Sequence, residues 1–583
     1  MTAIATDRFV RAASLADLRD RGRLVVHLDG HTLALFVDGD SVHAVDNRCP
    51  HMGFPLHRGS VKDGILTCHW HHARFDLCSG GTFDQFADDL RRFPTEVRDE
   101  EVYVDLAPRE DALAHQAKRL RDGLERNITL VVAKAAIALV EADPRGLEPF
   151  RAGLDFGARY RVGGWFRGLT THACFMNLVP ALQPEDRPTA LYHGLADVAE
   201  DSAGMAPRFP LDPLPETGAD AGLLKRWFRS FVDVRDSEGA ERCLVSAVRA
   251  GLSQRELADI LFAAATDHRY LDGGHTLDFT NKALEALDVA GWDRAEAVLP
   301  SLAPQLAFAE RMEEANSWRH PVDLVELLEA AFTRLPAALE SGAAVRGSWD
   351  GRTALVETVL GEDPHATMEA LLAALEAGAT EVELASAVAF AAAMRIARFH
   401  VSNEFGDWDT ALHTFTFANA VEQGLRRAPS PELLRGVLDA AASVYLDRFL
   451  NVPATRLPRP DGTADAEALL AALPELLDQQ QQVNEAGALA AAYLATGTDP
   501  DRLVAVLGAC LLRENRNFHT IQCVEAAVRQ HTLLRGTDDA ALPLIAASRY
   551  LAAHAPTTRS QLQTFVIARR LHRGEKIYEE AEV

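Results

Sequence analysis

Apolar residues in the first hundred positions come in short runs: LVVHL at 24–28, LALFV at 33–37 and VHAV at 42–45. Asp29-Gly30 and Asp38-Gly39 separate them, and an Asp-Gly pair between two such runs is a strong hairpin signal. From Phe9 to about Leu106 the pattern predicts a small antiparallel β domain. Beyond Pro108 the texture changes. As far as Val583 the chain is rich in Ala, Leu, Glu and Arg at helical period, with almost no strand signal. This predicts a boundary near 107–112 and a multidomain chain, with a small all-β domain at 1–107 and a large all-α domain at 108–583.

The helical part repeats itself. Three segments begin alike, at Gly251 with Ser253, Glu256 and Leu257, at Gly378 with Thr380, Glu383 and Leu384, and at Gly497 with Asp499, Pro500 and Leu503. Ser253 with Glu256 and Thr380 with Glu383 are capping boxes, and Asp499-Pro500 is an N-cap followed by proline in the first turn. A fainter fourth copy has Asp143-Pro144 as its cap and Leu147 as its anchor. The anchor leucines lie 110, 127 and 119 residues apart, so about four helical repeats of several helices each are expected.

Charge and cysteine content narrow the partners. A formal charge of −25 and a pI near 5.3 argue against nucleic acid or an anionic membrane surface. Seven irregularly spaced cysteines do not form a disulfide framework, no basic-then-apolar leader is present, and no apolar run reaches a spanning length of about 18 residues. The expectation is a cytoplasmic protein.

The densest chemistry lies between Cys49 and Phe75. Cys49-x-His51 and Cys68-x-x-His71 are two short ligand pairs with sixteen residues between them. Each offers one thiolate and one imidazole from a tight loop, so two facing loops could give two sulfurs to one iron and two nitrogens to its neighbour. That is the ligand set of a Rieske [2Fe–2S] cluster, with a potential of roughly −150 to +300 mV. Zinc is the competing reading, but zinc fingers place both Cys before both His.

Around these residues the chain resembles the Rieske ferredoxin family from about Arg8 to Ala107, through Gly53, Leu56, Gly59, Gly64, Phe75-Asp76, Gly80-Gly81 and Pro94. The resemblance implies that Cys49, His51, Cys68 and His71 hold the cluster, with no ligand role for His69 or His72. High-potential members add a disulfide between the ligand loops. Phe54 and Trp70 stand at those places here, which implies the low-potential type that feeds oxygenases and reductases.

His275, His413 and His519 occupy the same place in three repeats, each followed at i+4 and i+8 by apolar residues on one helix face. They either cap helix starts or converge on a cavity as metal ligands, acid/base groups or substrate-orienting groups. His172 heads a comparable element, and His193 with Asp197 one turn on is a further candidate. His268, His400 and His531 read as solvated or core residues. The carboxylates of 403–409 are either loop chemistry or acidic neighbours of His413. No nucleotide-binding glycine motif is present, so electrons are expected from a separate NAD(P)H-dependent reductase or ferredoxin.

Tyr192-His193-Gly194-Leu195 and the repeated His-Thr elements resemble the questin oxidase-like family, which implies oxygen-dependent attack on aromatic molecules. The function expected is an oxidoreductase in which the cluster delivers electrons to an oxygenase-type oxidation of a small aromatic substrate. His193, His275, His413 and His519 are its candidate catalytic residues, with a second metal (iron) or haem in the helical domain. The alternative is a Rieske electron-transfer protein whose α-solenoid grips a partner enzyme.

Overall fold

The computed structural model describes residues 8–107, 112–215, 220–404, 406–575 and 577. Residues 108–111, within the expected boundary, and Phe405 of the acidic stretch lie outside the described residues. Among the described residues ten strands form three antiparallel sheets. The first has the order β1 (Phe9–Ser14), β10 (Glu101–Asp105), β9 (Thr95–Arg98). The second runs β2 (Arg23–Leu28), β3 (His31–Asp38), β4 (Ser41–Asp46), β8 (Arg92–Phe93). The third is β5 (Ser60–Lys62), β6 (Ile65–Thr67), β7 (Arg74–Asp76).

The β2–β3 turn is the one the sequence predicts. Asp29 and Gly30 both take positive φ (45° and 81°), as a two-residue hairpin turn requires. Its register pairs Leu28 with His31 and Arg23 with Phe36, which sends Leu33 and Leu35 into one core and Ala34 and Phe36 into another. The second core contains Cys49 and Cys68. Folding of the sheet therefore also sets the spacing of the ligand loops.

About 23 helices follow the strands. The chain forms two compact units, 1–143 with 563–583, and 144–562. The first reaches beyond the strand-bearing block because helices α2 (Ala112–Glu125) and α3 (Thr129–Ala142) belong to it. Arg119 of α2 donates to the Ala87 carbonyl at 2.9 Å and pairs with Asp88. The returning C-terminal segment joins the same unit, where Arg48 donates to the Glu575 carbonyl at 3.0 Å.

In the second unit both capping boxes form as expected, and Gly251, Gly378 and Gly497 take left-handed φ of 75°, 92° and 73°. The fourth start differs. Asp143-Pro144 opens no helix, and the helix Leu147–Arg159 begins after Gly146 without a side-chain cap. Leu147 is only partly buried, whereas Leu257, Leu384 and Leu503 are core residues.

Four helices at the centre carry the second shared elements: Arg167–Leu178, His275–Ala290, Asp407–Arg427 and Phe518–Leu533. Each packs against two of the others to close a four-membered ring. Equivalent positions meet at the same height along their lengths, so the four run in one direction. The interior of this ring is polar as well as apolar, with Asp278, Asn281, Lys282, Asn419, Glu422, Gln522 and Glu525 all buried.

Candidate functional site

In the first unit the two ligand loops bring like with like. The Cys49 amide donates to the Phe54 carbonyl at 2.8 Å and Gly53 returns a bond to Cys49, at 2.7 Å, with Gly53 in the left-handed region. In the second loop the Cys68 amide donates to the Ala73 carbonyl at 2.8 Å. Both thiols are buried and interact, the contact driving Cys49 up and Cys68 down to about 6. The rings of His51 and His71 meet edge to face, with centroids 4.9 Å apart. His69 turns away to Ser60, 3.0 Å from its Nε2. Phe54 and Trp70 pack against each other at 6.0 Å where the high-potential type has its disulfide, and Cys78 is free and exposed.

These residues fit a [2Fe–2S] cluster. Two buried sulfurs lie together, two rings lie together, and the buried Nδ1 of His51 has no hydrogen-bond partner. Burial above all, then His71 and Lys134, lowers His51 to about 4, so it stands neutral, the form in which imidazole binds a metal.

In the second unit His275, His413 and His519 come together. One ring nitrogen from each lies within 4.8 Å of the other two. Nε2 of His413 is 3.0 Å from Nε2 of His519, and the His275 ring centroid is 4.4 Å from that of His413. Burial foremost, then His413 and His519, lowers His275 to about 2, and burial, then His519, lowers His413 to about 4. Three imidazoles facing one point form a donor set for a transition metal or hold a proton among them. His275 Nδ1 is buried without a partner.

The surroundings orient the rings. Asp409 Oδ2 lies 3.4 Å from His519 Nδ1, while Tyr550 donates to its Oδ1 at 2.5 Å. Burial alone would raise Asp409, but bonds from His519 and Tyr550 outweigh it and hold the carboxylate near 2. A carboxylate on Nδ1 leaves Nε2 for the central point, the arrangement that fixes a metal-binding histidine. Asp409, one of the acidic residues of the 403–409 stretch, thus belongs beside the triad. His275 begins its helix straight after a strained segment: Tyr270 and Asp272 have φ of 46° and 51°, and Gly273 and Gly274 are also left-handed. Such strain persists where surrounding structure enforces it, here through Asp272 accepting from the Glu310 amide at 2.7 Å.

A cavity of about 600 Å³ opens beside His413, walled by Tyr270, Trp318, Tyr445 and Phe449. Asp447 also lines it, almost wholly buried, with its Oδ2 unpartnered. Burial raises Asp447 to about 7, against the opposing pull of Thr414 and Arg395.

His193 is not brought into this group. It is buried on the helix Arg187–Ser202, edge-on to Phe175 and Tyr192, and burial lowers it to about 4. His172 is likewise elsewhere: its Nε2–H donates to the Phe150 carbonyl at 3.0 Å, and its ring fills space left by Gly153 and Gly194, where an added Cβ would collide with it. Aligning Asn177 with Asn281 and Asn419 puts Thr171, not His172, in the place of His275. His268 pairs with Glu313 at 2.6 Å, His400 with Ser402 at 2.7 Å, and His531 with the Ala540 carbonyl at 2.8 Å.

Further along the ring Lys282 binds Glu285 at 2.9 Å and Glu525 at 2.6 Å, and Asn177 reaches the same carboxylates at 2.7 and 3.0 Å. Sequence reasoning missed Lys282, Asp447 and Lys134 of the first unit. For Lys134 a lone charge in an apolar helical stretch was the available signal, whereas Lys282 stands among Asp278, Glu285 and Asp288 on its helix.

Residues 8–94 match the family model for the Rieske [2Fe-2S] domain. Within the chain they form a Rieske [2Fe–2S] domain, an electron-transfer module. The ferredoxin component of the naphthalene 1,2-dioxygenase system of Pseudomonas putida is 26% identical over 103 residues, 18% of this chain and 99% of that protein. Human apoptosis-inducing factor 3 is 34% identical over 89 residues, and the match spans only 15% of either chain. Among solved structures, the ferredoxin of carbazole 1,9a-dioxygenase from Nocardioides aromaticivorans IC177 is 29% identical, covering 17% of this chain and 98% of that one, with a TM-score of 0.16.

Proposed function

We propose that the protein is an oxidoreductase in which the Rieske domain delivers electrons to an oxygen-dependent oxidation of a small aromatic substrate in the helical unit. The observation that carries this is the convergence of His275, His413 and His519 from three helices. A [2Fe–2S] cluster held by Cys49, His51, Cys68 and His71 supplies one electron at a time. A metal held by the three histidines, iron in this proposal, supplies a redox and Lewis-acid centre.

The chain's own residues do the rest. Asp409 and Tyr550 hold His519 so that its Nε2 faces inward. Tyr270, Trp318, Tyr445 and Phe449 offer flat apolar walls to a ring system and exclude water from it. Asp447 Oδ2 meets a polar substituent of the substrate, as donor below about pH 7 and as acceptor above it. His193 keeps the role of a packing residue in this scheme. A separate NAD(P)H-dependent reductase or ferredoxin supplies the electrons, in a cytoplasmic setting. No helix among the described residues is long and apolar enough to cross a membrane.

The test is oxygen consumption by the purified chain with a reductase and a panel of hydroxylated polycyclic aromatics. Consumption that requires both His413 and Cys68 supports the proposal. An absorption spectrum with a Soret band would replace iron by haem. A second reading, that the helical unit docks a separate oxygenase, is favoured by the naphthalene system relative, a ferredoxin component matched over 99% of its length. It gains if the chain alone consumes no oxygen yet reduces an added oxygenase.

A further inference from the structure

Helix α3 lies outside the residues matched to the Rieske family, yet it reaches the cluster site. Its sequence from Thr129 to Val140 is TLVVAKAAIALV, with Lys134 the one charge among apolar residues. Val131, Val132, Ala133, Ala135, Ala136 and Ile137 around it are buried. Lys134 Nζ turns into the first ligand loop and donates to the carbonyl of Pro50 at 2.5 Å and of His51 at 2.8 Å. A small cavity of about 240 Å³ is lined by Lys134 together with Cys49, Pro50, Gly53 and Asp88.

Two consequences follow from the position. The ammonium ties down the loop that carries Cys49 and His51. It also places a cation in the cavity that Cys49 helps to line. Reduction by a one-electron donor adds one negative charge to the cluster, and a nearby cation in a partly desolvated place favours that added charge.

We infer that Lys134 is a positioning residue that raises the reduction potential of the Rieske cluster, supplied by a helix outside the family's own fold. The inference concerns the cluster alone and holds whichever acceptor its electrons reach, so it stands or falls separately from the proposed oxidation.

The experiment is a redox titration of the holoprotein, followed by the cluster's absorption and EPR signals, with Lys134→Gln, Lys134→Met and Lys134→Arg. Gln keeps a hydrogen-bond donor without the charge, and Arg keeps the charge with altered geometry. The expected result is that Gln and Met make reduction about tenfold less favourable, near 59 mV for a one-electron couple, whereas Arg stays close to the native potential. A purely structural role predicts the opposite order, with Gln native-like and Arg displaced. Asp88→Asn removes a negative charge lining the same cavity and is expected to shift the potential upward. It keeps the question open to measurement if the Lys134 variants do not retain the cluster. Native potentials in Lys134→Gln and Lys134→Met with unaltered spectra would overturn the inference, as would a native potential in Asp88→Asn where those variants lose the cluster.

Discussion

Lys282→Met removes the charge at the centre of the four-helix ring with little change of length. Lys282 touches Glu285 and Glu525 at 2.9 and 2.6 Å, so the two carboxylates lie no more than about 5.5 Å apart. Burial works against the Lys282 charge, but these two partners outweigh it and raise its pKa. Without the ammonium, two buried like charges at that separation repel by about 3 kcal/mol at an effective dielectric of 20. Breaking a buried pair by removing one partner costs about 3–5 kcal/mol by the same reasoning on desolvation. The assay is urea unfolding of the native and variant chains followed by circular dichroism, at pH 8 and pH 5. The variant should lose a few kcal/mol at pH 8. One carboxyl in it then has a raised folded pKa, so its stability is greatest at low pH and is lost as pH rises through that value. The gap to the native protein should therefore narrow at pH 5, and Glu525→Gln added to the variant should recover part of the loss. Unchanged stability at pH 8 would refute the idea that this pair is held together as ions.

His71→Ala should abolish the [2Fe–2S] absorption and EPR signals, whereas His72→Ala should leave them, because His72 makes no part of the paired rings. Asp447→Asn should flatten part of the pH dependence of stability. The folded carboxyl is raised to about 7, so its contribution is present below the unfolded value of about 3.9 and is lost as pH rises through 7. Thermal melts at pH 5 and pH 8 check this, and the variant's advantage should be larger at pH 8 than at pH 5.

The meeting of Cys49 with Cys68 and of His51 with His71 was legible because a Rieske domain's chemistry compresses into two local pairs, Cys49-x-His51 and Cys68-x-x-His71. The meeting of His275, His413 and His519 was legible for another reason: the three share a similar local sequence, and those positions meet in the ring. The same logic misled at His172. A slip of one residue turns a side chain by about 100° around a helix, so this ring points to Phe150 instead of the centre. Asp143-Pro144 read as a cap because both residue types suit one, but the chain waits until Gly146 to begin its helix. What Lys134 and Asp447 approach was hidden for a tertiary reason. Pro50 lies far from Lys134 in sequence, and Tyr270, Trp318 and His413 lie far from Asp447, so the sequence around each does not show what it meets.

The most direct measurement of the central claim is metal content per chain, compared between the native protein and a His275→Ala, His413→Ala variant. The native protein should hold more iron than the cluster's two atoms, with the excess lost and the cluster's spectrum kept in the variant. Two irons per chain in both, with no other transition metal in either, would contradict a metal centre at His275, His413 and His519.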